Sequence, residues 1–328
     1  MSAANLLEPI LKLHSGIRDA VLDACVRQSV EQLSTDATES AAGDTMYAID
    51  RVGEDALVRG LSGLPADEPV YVIAEGLREP LILPRGVKER DCRWRLLIDP
   101  IDGTRGLMYQ KRSAWVLTGV APNKGSGTRL SDVELAVQTE IPLLKQHLSD
   151  QLWAFSGKGG GVEARRRNRL SRVEEPFTLR RSSSRTIAHG FATVVRFFPG
   201  AREVLGAIDD EVTGALVAAE PGRAACFEDQ YASTGGQLVE LMAGHDRFVA
   251  DLRPLVQSKG LCCHPYDLCA ALIARQAGVI VTDAHGKPLD APLDLATDVA
   301  WVGYANEDLR RAIEPALQGA LRRRGFLK

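Results

Sequence analysis

The chain lacks the marks of several protein classes. No apolar run approaches the ~20 residues needed to cross a bilayer. The opening segment, MSAANLLEPILKLHSG, has neither the basic region nor the apolar core of a secretory signal, so the cytoplasm is the expected compartment. Charge of neither sign is in excess. A net charge of -3 exerts no global pull toward nucleic acid or an anionic membrane surface. The six cysteines, Cys25, Cys92, Cys226, Cys262, Cys263 and Cys269, are scattered apart from one adjacent pair. Neighbouring cysteines rarely bridge each other, and no CxxC pairs suggest zinc, so reduced thiols are expected. There is no internal repeat and no long linker.

What remains is an ordinary globular composition of 328 residues, 45% hydrophobic and 25% charged, long enough for a large core or two. Leu6, Leu7, Ile10, Leu13, Ile17, Val21 and Cys25 recur at threes and fours and predict helix over 4–34. Residues 35–43 are polar and read as a loop. IDRVGEDALVRGL predicts a second helix, with Asp50 placed to cap it. PVYVIAEG and RWRLLIDP are apolar runs that end in carboxylates, as strands opening into loops. AWVLTGVAP, VELAVQTEIP and QLWAFSG predict further strands of an antiparallel meander. The basic stretch VEARRRNRLSR (162–172) reads as a solvated loop. Beyond it the pattern alternates: a strand at FTLRRSSS, helices near 187–197 and 201–217, a helix in GGQLVELMAG, and a helix and strand in DLCAALIARQAGVIVTD. The expectation is an α/β (α+β) protein of two lobes, 1–170 and 171–328, with the site at their junction.

The informative stretch is LLIDPIDGTRG, 96–106. Asp99 and Asp102 stand at the end of an apolar run, Glu75 ends another, and Asp267 precedes a helical run. Carboxylates converging from such positions would repel one another unless cations joined them, and hard oxygen ligands suit Mg²⁺. Pro100 has no N–H to donate and leaves the carbonyl of Ile101 free to face the two aspartates. If a helix starts at Gly103 and Thr104, its N–H groups suit a phosphate dianion beside the metals. Taken alone, Asp-Pro-x-Asp-Gly is also a respectable turn and cap.

IDPIDGT, with AEG upstream and YDLCAALIARQAGVIVTDAHGKPL downstream, resembles the inositol monophosphatase family. GDTMYAIDRVGEDAL and STGGQLVELMAGHDRFVAD resemble two further segments of it, in the same order, from about Gly43 to Leu289. The resemblance implies a layered α/β/α/β/α sandwich and a Mg²⁺-dependent, lithium-sensitive phosphomonoesterase with two or three ions per site. It also implies a homodimer acting on a small phosphorylated metabolite such as a polyol, inositol or sugar phosphate. By position, Glu75, Asp99, Asp102 and Asp267 match the metal-binding side chains, joined by the Ile101 carbonyl. Asp50 and Thr104 match the pair that orients and deprotonates the attacking water, with Glu75 part of the catalytic set. Gly103 and Thr104 match the phosphate contacts. Arg105, Ser183, Thr234 and Asp251 stand near positions that face the substrate.

The chain also departs from the family. Tyr266 stands where Trp is common, Gln276-Ala277-Gly278-Val279 replaces EAGG, and Glu39 and Ser40 stand near the place of a basic residue. The segment between Asp251 and Asp267 is longer than usual. His264 is expected to bind a carbonyl or to pack beside Tyr266. Phe227–Tyr231, FEDQY, has no counterpart in the pattern. Two other readings stay open. One is a bisphosphate phosphatase, acting on 3′-phosphoadenosine 5′-phosphate or fructose 1,6-bisphosphate, with Arg165–Arg172 or Arg180, Arg181 and Arg185 holding the second phosphate. The other is a non-catalytic relative that binds a phosphorylated metabolite.

Overall fold

The computed structural model describes residues 3–35, 38–39, 45–157, 161–219, 221–256 and 261–328. Most of the expected 35–43 loop, Gly43 and Asp44 of the GDTMYAID segment, and 257–260 lie outside the described residues. A 3-10 turn (Ala3–Leu6) leads into α1 (Leu7–Arg27) and α2 (Val30–Leu33). The apolar stripe of α1 is buried along Ile10, Leu13, Ile17 and Val21, as its spacing predicts. β1 (Thr38–Glu39) and β2 (Thr45–Met46) form a short ribbon ahead of α3 (Ala48–Leu61). Asp50 closes the start of α3: its Oδ2 accepts the Tyr47 N–H at 2.7 Å.

The main sheet takes β3 (Val70–Ala74), β4 (Leu81–Leu83) and β5 (Trp94–Asp102). After the short helix α4 (Thr104–Met108) come β6 (Ala114–Pro122), β7 (Leu135–Ile141), β8 (Leu148–Phe155), β9 (Val162–Asn168) and β10 (Glu174–Pro176). Its order is β10-β9-β8-β7-β6-β5-β3-β4, and every pair is antiparallel except β3 with β5. The later segment contains β11 (Phe191–Val194), α5 (Arg202–Leu216), α6 (Thr234–Ala243), β12 (Asp246–Asp251) and α7 (Arg253–Val256). It ends with α8 (Ala271–Gln276), β13 (Ile280–Thr282), β14 (Trp301–Tyr304) and α9 (Glu307–Arg323). Its four-stranded sheet runs β11-β12-β14-β13.

The layers follow from which faces are apolar. Along β5, Trp94, Leu96 and Ile98 join the core under α1 and α3, while Leu97 joins the core on the opposite face. A strand buried on both faces needs cover on both, and all nine residues of β5 are buried. α1 and α3 cover one face of the main sheet. α6 and α8 cover the other and also touch the second sheet, and α5 and α9 pack together on its outer side. This is the α/β/α/β/α order. Among the described residues no helix is long and apolar enough to cross a membrane, and all six cysteines are free thiols.

Three local expectations fail. Residues 187–197 are not a helix but contain β11, because a parallel pairing of Ala192, Thr193 and Val194 with β12 overrides the local period. FTLRRSSS forms no strand. The basic stretch is a strand, β9, where the expectation was a loop. Arg166 lies opposite Asp150 on β8 and meets it through two bonds of 2.7 Å, while Arg165 lies over the Trp153 ring. Cross-strand charge pairing and stacking hold a segment that its composition alone would leave in solvent.

Candidate active site

β3 and β5 run parallel as neighbours, so their ends emerge side by side. The Glu75 N–H donates to the Ile98 carbonyl at 3.1 Å, which sets Glu75 next to Asp99. Asp99 and Asp102 are three apart and on a regular strand would face opposite ways. Between them β5 advances three residues while β6 advances two, from Leu117 to Trp115. That one extra residue is a bulge. It falls at Pro100-Ile101, where proline has no ladder hydrogen bond to lose, and it turns both aspartates to one side.

Asp267 comes from the turn before α8. That turn lies so close to β6 that a Cβ on Gly119 would stand 2.6 Å from the Cys269 carbonyl oxygen; only glycine admits the approach. Ligand atoms of Asp99, Asp102 and Asp267 thus lie within 4.8 Å of one another. Asp102 is further tied to the start of α6. Its carboxylate accepts the Ser233 hydroxyl (2.8 Å), the Thr234 N–H (3.2 Å) and the Gly235 N–H (2.6 Å). Asp267 accepts the His264 N–H at 2.6 Å, and Asp99 that of Ile101 at 2.9 Å.

This cluster is electrostatically costly by itself. Burial, and then the charges of Glu75, Asp102 and Asp267, push the Asp99 carboxyl well above its ordinary range. Burial and Asp267 raise Asp102 to about 7 against the pull of its three hydrogen bonds. An all-oxygen donor set of buried, converging carboxylates fits a hard divalent cation, which would remove the repulsion.

Beside the cluster, the Thr104 hydroxyl donates to Asp50 Oδ1 at 2.7 Å and lies 3.0 Å from the Ile101 carbonyl oxygen. Gly103 precedes it at φ +99°, and a Cβ there would also meet Ser233 at 2.9 Å. Asp50, Glu75, Asp99, Ile101, Asp102, Gly103, Thr104, Arg105, Thr234 and Asp267 all line one pocket. Ser183 and Asp251 do not. Ser183 is exposed on a segment whose neighbouring carbonyls, of Ser182 and Ser184, are held by Asn306. Asp251 is fully buried, its two oxygens on Nε (2.9 Å) and Nη2 (2.6 Å) of Arg253. Of the arginines expected to hold a second phosphate, Arg166 and Arg180 line a different cleft and none lines this pocket.

Sequence reasoning missed Arg253, Phe197 and Phe198, which line the pocket. The available signals were an acid and a base two apart at a strand end, and an adjacent phenylalanine pair before Pro-Gly. His264 behaves as expected, with Nδ1 3.2 Å from the Thr297 carbonyl oxygen and its ring 5.3 Å from that of Tyr266. The FEDQY segment acts as a brace. Tyr231 donates its hydroxyl to the Ser113 carbonyl and accepts the Trp115 indole N–H, while Gln230 and Phe227 bind the β11 region.

No family model matches this sequence, and no curated protein matches it. Solved structures do match its fold. A fructose-1,6-bisphosphatase from Leishmania major superposes with a TM-score of 0.69 at 15% identity, over 96% of this chain and 94% of that one. The extragenic suppressor protein suhB from Bartonella henselae gives 0.65 at 16%, over 95% and 98%. An inositol monophosphatase (IMPase) from Thermotoga maritima gives 0.62 at 16%, over 97% and 98%. The chain therefore has the mixed α/β fold of these proteins along nearly its whole length.

Proposed function

We propose that the chain is a Mg²⁺-dependent phosphomonoesterase of the inositol monophosphatase family that hydrolyses a small phosphorylated metabolite. The observation that carries this reading is the meeting of Asp99, Asp102 and Asp267 within 4.8 Å, next to a Thr104 hydroxyl bound to Asp50. Glu75, Asp99, Asp102, Asp267 and the Ile101 carbonyl would hold the ions. When bound, these supply a lowered pKa for an attacking water and charge neutralisation at the phosphate. Asp50, anchored by the Tyr47 N–H, holds the Thr104 hydroxyl so that its oxygen can take a proton as it passes its own to Asp50. The first turn of α4, at Gly103 and Thr104, opens onto the pocket and suits the phosphate oxygens. The family resemblance further supports two or three ions, inhibition by Li⁺, a homodimer and a cytoplasmic setting.

The test is phosphate release from a panel of metabolite phosphates, with Mg²⁺ and with chelator, beside Asp99→Asn. The expected result is a selective release that needs Mg²⁺ and is lost in the variant. Release that continues in chelator would refute the reading, and Mg²⁺ binding with silence across the panel would favour a non-catalytic binder.

A further inference from the structure

We propose that Arg253, Phe198 and Arg105 form a subsite for a second oxyanion, a phosphate or carboxylate on the leaving-group side of the substrate. The inference rests on the phosphomonoesterase reading and names its substrate class. A polyol presents O–H donors and is best met by a carboxylate. The carboxylate nearest that role, Asp251, is fully buried and accepts three N–H groups of Arg253, one from the backbone at 3.2 Å. What lines the pocket in its place is Arg253, whose guanidinium is a donor with no acceptor.

The arginine is built in. Its side chain is 4% exposed, and its charge is retained: burial acts against it, but the Asp251 carboxylate outweighs that and holds its pKa above the ordinary value. Nε, Nη2 and Nη1 each give one hydrogen to Asp251 or to the Leu261 carbonyl. A guanidinium carries five, so two remain without a partner among the described residues. The two bonds to Asp251 fix the plane of the fork, and Cζ lies 4.6 Å from the Phe197 ring centroid and 5.4 Å from that of Phe198. Arg105 lies 5.2 Å from the same Phe198 ring and 5.5 Å from Tyr47. Two guanidinium groups therefore meet at one ring on the pocket wall, and Arg105 directly follows Thr104. Charge-assisted N–H bonds favour oxyanions over neutral hydroxyls, and a fixed planar fork favours them further.

The test compares substrates that differ in one group: glycerate 2-phosphate against glycerol 2-phosphate, and fructose 1,6-bisphosphate against fructose 6-phosphate. Binding is read by calorimetry with Mg²⁺ in an Asp50→Asn background, so that hydrolysis does not enter. At least one anionic member should bind about tenfold tighter than its partner, and the pair that shows it tells carboxylate from phosphate. Arg105→Gln should shrink that ratio by about threefold or more. Arg253→Gln strands Asp251, so the paired change Asp251→Asn with Arg253→Gln serves as the folding-safe variant and should also shrink it. Equal binding within both pairs, no binding of either anionic member, or a ratio that survives both variants would overturn the subsite. Turnover is measured separately with Asp50 intact. Silence there with the binding ratio preserved refutes the esterase alone, whereas turnover without the ratio refutes the subsite alone.

Discussion

Two groups of arginines behave in opposite ways. Residues 165–172 hold five arginines in eight positions, a run conspicuous in the sequence. In the fold, Arg165 covers Trp153, Arg166 pairs with Asp150 and lies over Phe177, Arg167 faces Glu174, and Arg169 binds two carbonyls. Four of the five thus hold an edge of the main sheet. Arg105, which the family resemblance placed near the substrate, and Arg253, which draws no notice in the sequence, are 148 positions apart and meet at one phenylalanine beside the carboxylates. Local density of charge reports local structure; the chemistry comes from groups brought together by the sheet ends.

The largest expected effect separates the pocket from everything outside it. Thr104→Val removes the hydroxyl that meets Asp50 and should lower kcat by about 10²–10⁴-fold with little change in Mg²⁺ affinity. A rise in KM with kcat intact would instead make Thr104 a binding group.

A smaller effect concerns the carboxylates. Burial and the neighbouring carboxylates raise Asp102 to about 7 and hold Asp99 well above its ordinary value of 3.8. The folded, metal-free protein then binds more protons than the unfolded chain, so this contribution is present below pH 4 and is lost as pH rises to 7 and beyond. Glu54 and Asp246, each raised to about 7, and Asp209, raised to about 6, push the same way. His14, lowered to about 3 by burial and then by Arg18, pushes the opposite way between pH 3 and 6.5. Only the cluster couples to the ion, so the gain in Tm on adding Mg²⁺ should grow steadily from pH 4 to 7. A gain independent of pH would mean that the ion binds elsewhere.

The smallest effect is expected on the basic strand. Arg166→Ala breaks a half-exposed pair and should cost about 1 kcal/mol or less in denaturant unfolding, with KM unchanged. A selective rise in KM for a bisphosphate would return the strand to the substrate and weaken the contrast with Arg105 and Arg253.

Much of the architecture was legible because it is local. The period of α1, the cap at Asp50, and the strands that end at Glu75 and Asp102 follow from residues within one element. Of the residues that the family resemblance singled out, Asp99, Ile101, Asp102, Gly103, Thr104 and Arg105 share one pocket because the motif itself contains the bulge and the turn; Asp50, Glu75, Thr234 and Asp267 join them there, and Ser183 and Asp251 do not. What was not legible depended on distant partners. β11 exists only through β12, β9 through acids on β8 and β10, and the pocket wall at Phe197, Phe198 and Arg253 through the segments that follow β11 and β12. The placement of Asp251 turned on Arg253 two residues later, whose fork takes both oxygens. Spacing alone could not say which of the two would face the pocket.

The central claim is that the strand-end carboxylates are built to hold cations. Calorimetric titration of Mg²⁺ into the wild type and Asp99→Asn tests it most directly. The account predicts saturable binding in the wild type, lost or weakened by at least about tenfold in a variant that stays folded. Equal binding by the two proteins would contradict it.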